Sequence, residues 1–425
     1  MSRSRIGRWA TPLSAAALAT AVVAAINPLP SAVAGGAGQD RGTARNVIFM
    51  VGDGMAAAHR EAARLHLTGL TGKLAMDSLP QTGLMTTTPD DPEAVVTDSA
   101  AAASAWATGR RTFNGAISVD PAGNPLPTLG ARAKAAGKRT GLVTTAQVTD
   151  ATPAAFYANT PDRARQDDIA RQYLQVSKPD VILGGGEDWW LPAGTPGAHP
   201  DQPPADPSEG SRGTQGNLIQ QARRAGYTYV TDRQQLTAAP ERDRLLGLFS
   251  NEEMFQQRPE GEGDVYAPVV DLPTMTRTAL DHLDDSRNGF FLLVEEEAVD
   301  EFAHNNNGTR MLQAMAALDR TVALVRSYVA KHPDTLLIVV GDHECGGLTI
   351  EDVDDEDESG TGESAEDGPF TVKGSDKTFV MDWTTTSHTG TPLPLTASGP
   401  GADRLAGTFP NTYVHDVLEP ALTRR

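Results

Sequence analysis

The chain has 425 residues, 39% of them hydrophobic, enough for a large core and against global disorder. Its 36 Lys and Arg against 55 Asp and Glu leave a net charge of −19. That balance excludes nucleic acid as a partner, because a phosphate backbone needs a basic face, and the single cysteine, Cys345, excludes an intramolecular disulfide.

In chain order, Arg3, Arg5 and Arg8 precede an apolar stretch from about Leu13 to Ile26, and Ala32-Val33-Ala34 offers a small-residue cleavage site. This is the layout of a Sec-type secretory signal peptide over residues 1–34, too short in its apolar run to span a membrane. Without an adjacent Arg pair, a twin-Arg route is not expected. A secreted product, with no membrane span, is the expectation. Residues 35–45 form a polar, Gly-rich lead-in, and 46–425 read as a single catalytic domain with insertions.

The apolar run Asn46–Val51 reads as a buried strand that ends at Gly52-Asp53-Gly54, with a helix expected near 56–67. Ala-rich residues 100–107 read as a helix with Ser99 at its start, where free N–H groups favour an anion; a plain cap is the competing reading. A strand is expected at 140–145, a helix at 163–175, and a strand at 179–183 that runs into three glycines. Residues 191–216, rich in Pro and Gly, read as a long surface loop. The apolar run from Phe290 to Val294 ends in Glu295 and leads into a long helix expected over about 298–329. On it Asp300 and His304 are four residues apart and share a face, which suits one metal ion but also suits a surface pair. The run 335–340 ends in Gly341-Asp342-His343-Glu344. Acidic residues dominate 351–369, within an insertion near 351–380, and read as a solvated loop.

Alternation of this kind implies an α/β fold with a mainly parallel sheet and helices on both faces. Ligands of such sheets gather beyond the carboxyl ends of the strands, so Asp53, Glu295, Asp342 and His343 can meet there. A charge in that position is costly unless it is paired or holds a metal. Glu295 and Glu297 fall on the same face if their strand continues, and the spacing does not choose between them. Cys345, two residues after His343, could approach a metal, but a small buried residue is the plainer reading.

Six motifs, in order, resemble alkaline phosphatases of the secreted bacterial type. They are Gly52-Asp53-Gly54-Met55, Thr97-Asp98-Ser99-Ala100-Ala101, Asp150-Ala151-Thr152-Pro153, Val294-Glu295 through Asp300 and His304, Gly341-Asp342-His343-Glu344, and His388-Thr389-Gly390. The resemblance implies one zinc on Asp300, His304 and His388 and a second on Asp53, Asp342 and His343. It implies a magnesium sharing Asp53 with Thr152 and Glu295. Ser99 is then the nucleophile, forming a phosphoserine, and Arg163 the phosphate clamp. Asp150 and Glu301 lie behind these residues. Many relatives carry Lys or His where Glu301 stands, and Ser104 replaces a usual threonine. The implied activity is hydrolysis of phosphate monoesters. A phosphodiesterase on the same scaffold, or a phosphate- or metal-binding protein without turnover, are the competing readings. A homodimer enters by analogy alone.

Overall fold

In the strand Asn46–Gly52, labelled β1, Val47, Phe49 and Val51 join one apolar cluster while Ile48 and Met50 join another. Successive side chains of a strand point to opposite faces, so both faces of the sheet are covered. The computed structural model describes residues 42–200, 210–241, 243–353 and 366–424. The expected leader and the centre of the acidic run lie outside the described residues.

The further strands are β2 (Gln81–Thr86), β3 (Arg139–Gln147), β4 (Val181–Gly185), β5 (Tyr227–Val230), β6 (Arg244–Leu248), β7 (Phe290–Glu296) and β8 (Thr335–Val340). After them come β9 (Glu344–Cys345), β10 (Leu348–Glu351), β11 (Asp367–Thr371), β12 (Thr378–Trp383), β13 (His388–Thr389), β14 (Leu393–Ser398) and β15 (Gly407–Pro410). Ten of these form one sheet in the order β15-β2-β14-β8-β1-β7-β3-β4-β6-β5. Within it β14 alone is reversed, antiparallel to both β2 and β8. The expected mainly parallel sheet with helices around it is therefore the observed one. Strands β10, β12 and β11 form a small antiparallel sheet, and β9 pairs with β13; neither was foreseen.

Two helices differ from expectation. The long one is broken into Ala298–His304 and Gly308–Val329. Asn306 takes a left-handed φ of 51° at the break. Asn307 then caps the second segment by accepting from the Arg310 N–H at 3.0 Å. The helix expected from Arg163 begins later, at Gln166. Arg163 sits in the preceding turn, its N–H bonded to the Gly115 carbonyl at 2.8 Å.

Register assembles the site. In β1, Val51 lies opposite Glu295 of β7 on one side and Val340 of β8 on the other. Asp53, Glu295 and Asp342 therefore leave three adjacent strands at one edge. Gly54 has φ +69°, and a Cβ there would stand 2.7 Å from Asp300 Oδ1. Only glycine lets the chain pass that close.

Candidate metal centre and nucleophile

Two constellations of donor atoms form at this edge. In the first, Asp300 and His304 project from one turn of their helix, and His388 arrives on β13. His304 Nε2 lies 3.1 Å from Asp300 Oδ2 and 3.0 Å from His388 Nε2, which is 3.5 Å from Asp300 Oδ1. Each ring is turned by a backbone carbonyl: His304 Nδ1 stands 2.7 Å from the Thr386 oxygen, and His388 Nδ1 3.2 Å from that of Thr97. A carbonyl only accepts, so each Nδ1 carries a proton and each Nε2 is turned toward the other ring and toward Asp300. A cation bound there would take the place of the Nε2 protons that now reach Asp300.

The second constellation surrounds His343, which is fully buried. Its Nε2 lies 3.1 Å from Ser99 Oγ, 3.2 Å from Asp342 Oδ2 and 3.3 Å from Asp53 Oδ1. Asp342 Oδ1 is satisfied by the backbone N–H groups of Gly54, at 3.0 Å, and His343, at 2.9 Å. Its Oδ2 is buried without a donor, as are Asp53 Oδ1, Asp300 Oδ1 and His343 Nδ1. Buried carboxylate oxygens without donors are rare, and here they converge. The donor set fits divalent cations.

Beyond Asp53, Glu295 Oε2 accepts from Thr144 Oγ1 at 2.6 Å, a contact that follows from the pairing of Thr144 with Glu295. Glu295 Oε1 and Thr152 Oγ1 are both buried without a well-aligned partner. This is an oxygen-only group, of the kind magnesium prefers.

The electrostatics show the strain of crowded anions. Burial, then Asp342, Asp300 and Glu295, push the Asp53 carboxyl well above its ordinary value. Burial likewise raises Glu295 to about 8 despite hydrogen bonds from Thr144 and Thr152. Asp300 goes the other way: burial raises it, but hydrogen bonds from His304 and His388 hold it well below the usual range. The hydrogen bond to Asp300 takes His304 up to about 9. Burial lowers His343.

Ser99 begins the helix Ser99–Thr108 and is 4% exposed. Asp98 caps that helix by accepting from the Ala101 N–H at 2.9 Å. The same carboxylate takes the Gly115 N–H at 2.8 Å and stands 3.4 Å from Arg163. Arg163 Nη2 also donates to both oxygens of Asp150, at 3.0 and 3.1 Å. Asp98, the residue before Ser99, and Asp150 thus hold the guanidinium between them. Burial disfavours its charge, but Asp150 and Asp98 outweigh burial and hold it protonated.

Sequence reasoning left Glu297 open against Glu295, placed Glu301 behind the ligands and missed Glu253. Glu297 is 5% exposed, and its Oε2 has no donor. It heads the helix that carries Asp300 rather than continuing β7. Burial, then Asp150 and Glu301, push it well above its ordinary value. Glu301 rises to about 8 through burial and the Asp300 charge, with Glu253 adding to it. Glu253, held at 2.6 Å by Gln147, comes from a loop that no motif marks.

A family model described as alkaline phosphatase matches residues 44–381. A streptomycin-6-phosphate phosphatase of Streptomyces griseus is 36% identical, covering 90% of this chain and 91% of its own. Alkaline phosphatase 4 of Bacillus subtilis is 30% identical, covering 89% of each chain. The crystal structure of the Thermus thermophilus alkaline phosphatase matches with a TM-score of 0.73 at 26% identity, covering 93% of this chain and 96% of that one.

Proposed function

The chain belongs to the alkaline phosphatase family and is a phosphomonoesterase, and from that premise we propose that it works through a phosphoserine on Ser99 at a centre of two zinc ions and one magnesium. Asp300, His304 and His388 would hold the first zinc, and Asp53, Asp342 and His343 the second. Magnesium would share Asp53 with Thr152 and Glu295. Bound there, such ions supply charge stabilisation and lower the pKa of hydroxyls they touch.

Ser99 Oγ would attack phosphorus in line and lose its proton as the new P–O bond forms, while the ester oxygen departs as the alcohol. Water would then attack the phosphoserine, releasing phosphate and restoring Ser99. Arg163 would offer its remaining N–H groups to two equatorial oxygens. The Ser99 N–H, in the first turn of its helix, would add a further donor where charge develops.

The observation that carries this reading is Ser99 Oγ at 3.1 Å from His343 Nε2, within the same cage as the donorless oxygens of Asp53 and Asp342. The test is metal analysis of the purified protein alongside turnover of a monoester and a diester. The expected result is two zinc ions and one magnesium per chain, loss of activity on chelation, recovery with zinc, and preference for the monoester. Turnover without metal, or preference for the diester, would overturn it.

The basic start, apolar stretch and Ala32-Val33-Ala34 support export with cleavage before Gly35. Among the described residues no helix is long and apolar enough to cross a membrane. The N-terminal residue of the protein recovered from culture medium tests this reading.

One observation favours a particular substrate class. Glu301, Glu297 and Glu253 crowd one side of the site, each raised by burial and by acidic neighbours. Once ionised at alkaline pH, these carboxylates would draw a phosphate ester with a cationic alcohol, and the Streptomyces griseus relative is named a streptomycin-6-phosphate phosphatase. Guanidinium-bearing alcohols should then show a higher kcat/KM than neutral ones, with an advantage that shrinks as salt rises. Equal values at low salt would sink this second reading.

A further inference from the structure

We propose that Cys345 is a fourth protein donor, through Sγ, to the first metal of the centre. The inference rests on the two-metal reading above and adds a residue to it. Sγ of Cys345, one oxygen of Asp300 and ring nitrogens of His304 and His388 lie within 4.8 Å of one another. Bonds of about 2.3 Å from zinc to sulfur and roughly 2.0–2.1 Å to nitrogen let one ion bridge nearly that span.

The backbone puts the sulfur there. Residue Cys345 lies opposite His388 in the β9–β13 pair, so the pairing that delivers the imidazole delivers the thiol too. The Cys345 N–H donates to the Gly54 carbonyl at 3.2 Å, tying β9 to the turn that carries Asp53. Cys345 is fully buried. One oxygen of Asp300 shares its cluster, and the thiol lies within hydrogen-bonding reach of that carboxylate, whose buried Oδ1 has no well-aligned donor.

Binding needs no oxidant. The S–H bond breaks heterolytically, the proton leaves to buffer, and the sulfur lone pair forms the bond to zinc. A thiolate beside two imidazoles selects zinc over magnesium, which prefers oxygen. Zinc also accepts five ligands, so four protein donors leave access to the site.

The test is zinc-edge X-ray absorption on the zinc-loaded full chain, wild type and Cys345→Ser, with chelator competition on both. The chain has one cysteine, so a sulfur shell at about 2.3 Å has one thiolate source. Wild type should show roughly one sulfur for every two zinc ions, and the variant nitrogen and oxygen alone at about 2.0–2.1 Å. The variant should also give up one zinc roughly tenfold or more easily, at least the loss seen when a group behind the ligands is removed. Zinc-loaded wild type with only nitrogen and oxygen would overturn the inference, leaving Cys345 as a thiol that donates to Asp300. The wild-type spectrum decides even if the variant fails to fold. A chain that takes up no zinc at all would overturn the two-metal reading along with it.

Discussion

Stripping the metals should invert the way stability responds to pH. The ordinary value of a Glu carboxyl is 4.5, and in the folded protein Glu295 and Glu301 stand at about 8 and Glu296 at about 7. Asp53 and Glu297 are displaced in the same direction. Between pH 4.5 and 8 the folded state therefore binds more protons than the unfolded one, so stability falls as pH rises. At about 1.4 kcal/mol per pH unit, Glu295 alone sets a ceiling of ~5 kcal/mol; because its neighbours share the repulsion, a net loss of a few kcal/mol is expected from pH 5.5 to 8.5. His304, raised to about 9, adds to the trend, since its contribution is complete below 6.5 and lost as pH rises through 9. His343, lowered by burial, opposes it below 6.5. Asp300, held low, stabilises across the whole window and is lost only under more acidic conditions. In metal-loaded protein the cations neutralise these carboxylates and protons compete with metal, so stability should rise with pH. The assay is the urea midpoint at pH 5.5, 7 and 8.5, with chelator and with zinc plus magnesium. Glu297→Gln should raise the pH 8.5 midpoint of the chelated protein. Chelated protein as stable at pH 8.5 as at 5.5 would refute the reasoning.

Ser99→Ala should lower monoester turnover by at least 10³-fold, an order drawn from the loss of an activated nucleophile, while zinc measured by elemental analysis stays at the wild-type level. Arg163→Ala should lower kcat/KM for monoesters by about 10²-fold, with a smaller loss for a diester, and should free the Asp98 and Asp150 carboxylates that now hold it. Glu301→Lys should tighten product inhibition, because a cation replaces a carboxylate beside the phosphate site; unchanged inhibition by inorganic phosphate would refute this. Gly54→Ala should cost about 1–3 kcal/mol in backbone strain and, by pressing on Asp300 at 2.7 Å, weaken zinc retention in chelator competition.

The strand ends carried most of the legible information. Asp53, Glu295 and Asp342 each follow a run of Val, Ile, Leu or Phe, and a buried strand ending in a carboxylate demands a partner. Parallel pairing of β1 with β7 and β8 turned that demand into a site. Helix spacing put Asp300 and His304 on one face, which suited a metal ion and a surface pair alike. His388 and Arg163 did not follow from local pattern: one comes on a two-residue strand and the other sits in a turn. Only the order of motifs picked them out. Glu297 stayed ambiguous because nothing in Glu295-Glu296-Glu297 marks where β7 ends. The helix break at Asn305 to Asn307 was hidden by apolar spacing that continues on both sides, although Asn-Gly is a stop signal. Glu253 and the contacts of Asp98 with Gly115 and Arg163 depend on loops that meet only in the folded chain.

The most direct measurement is acid quench of the metal-loaded enzyme during monoester turnover, followed by mass spectrometry of the peptide that contains Ser99. Phosphate on Ser99 in wild type, absent in Ser99→Ala together with turnover, is the predicted result. Turnover at near wild-type rates in Ser99→Ala, or phosphate captured on a different residue, would contradict the account.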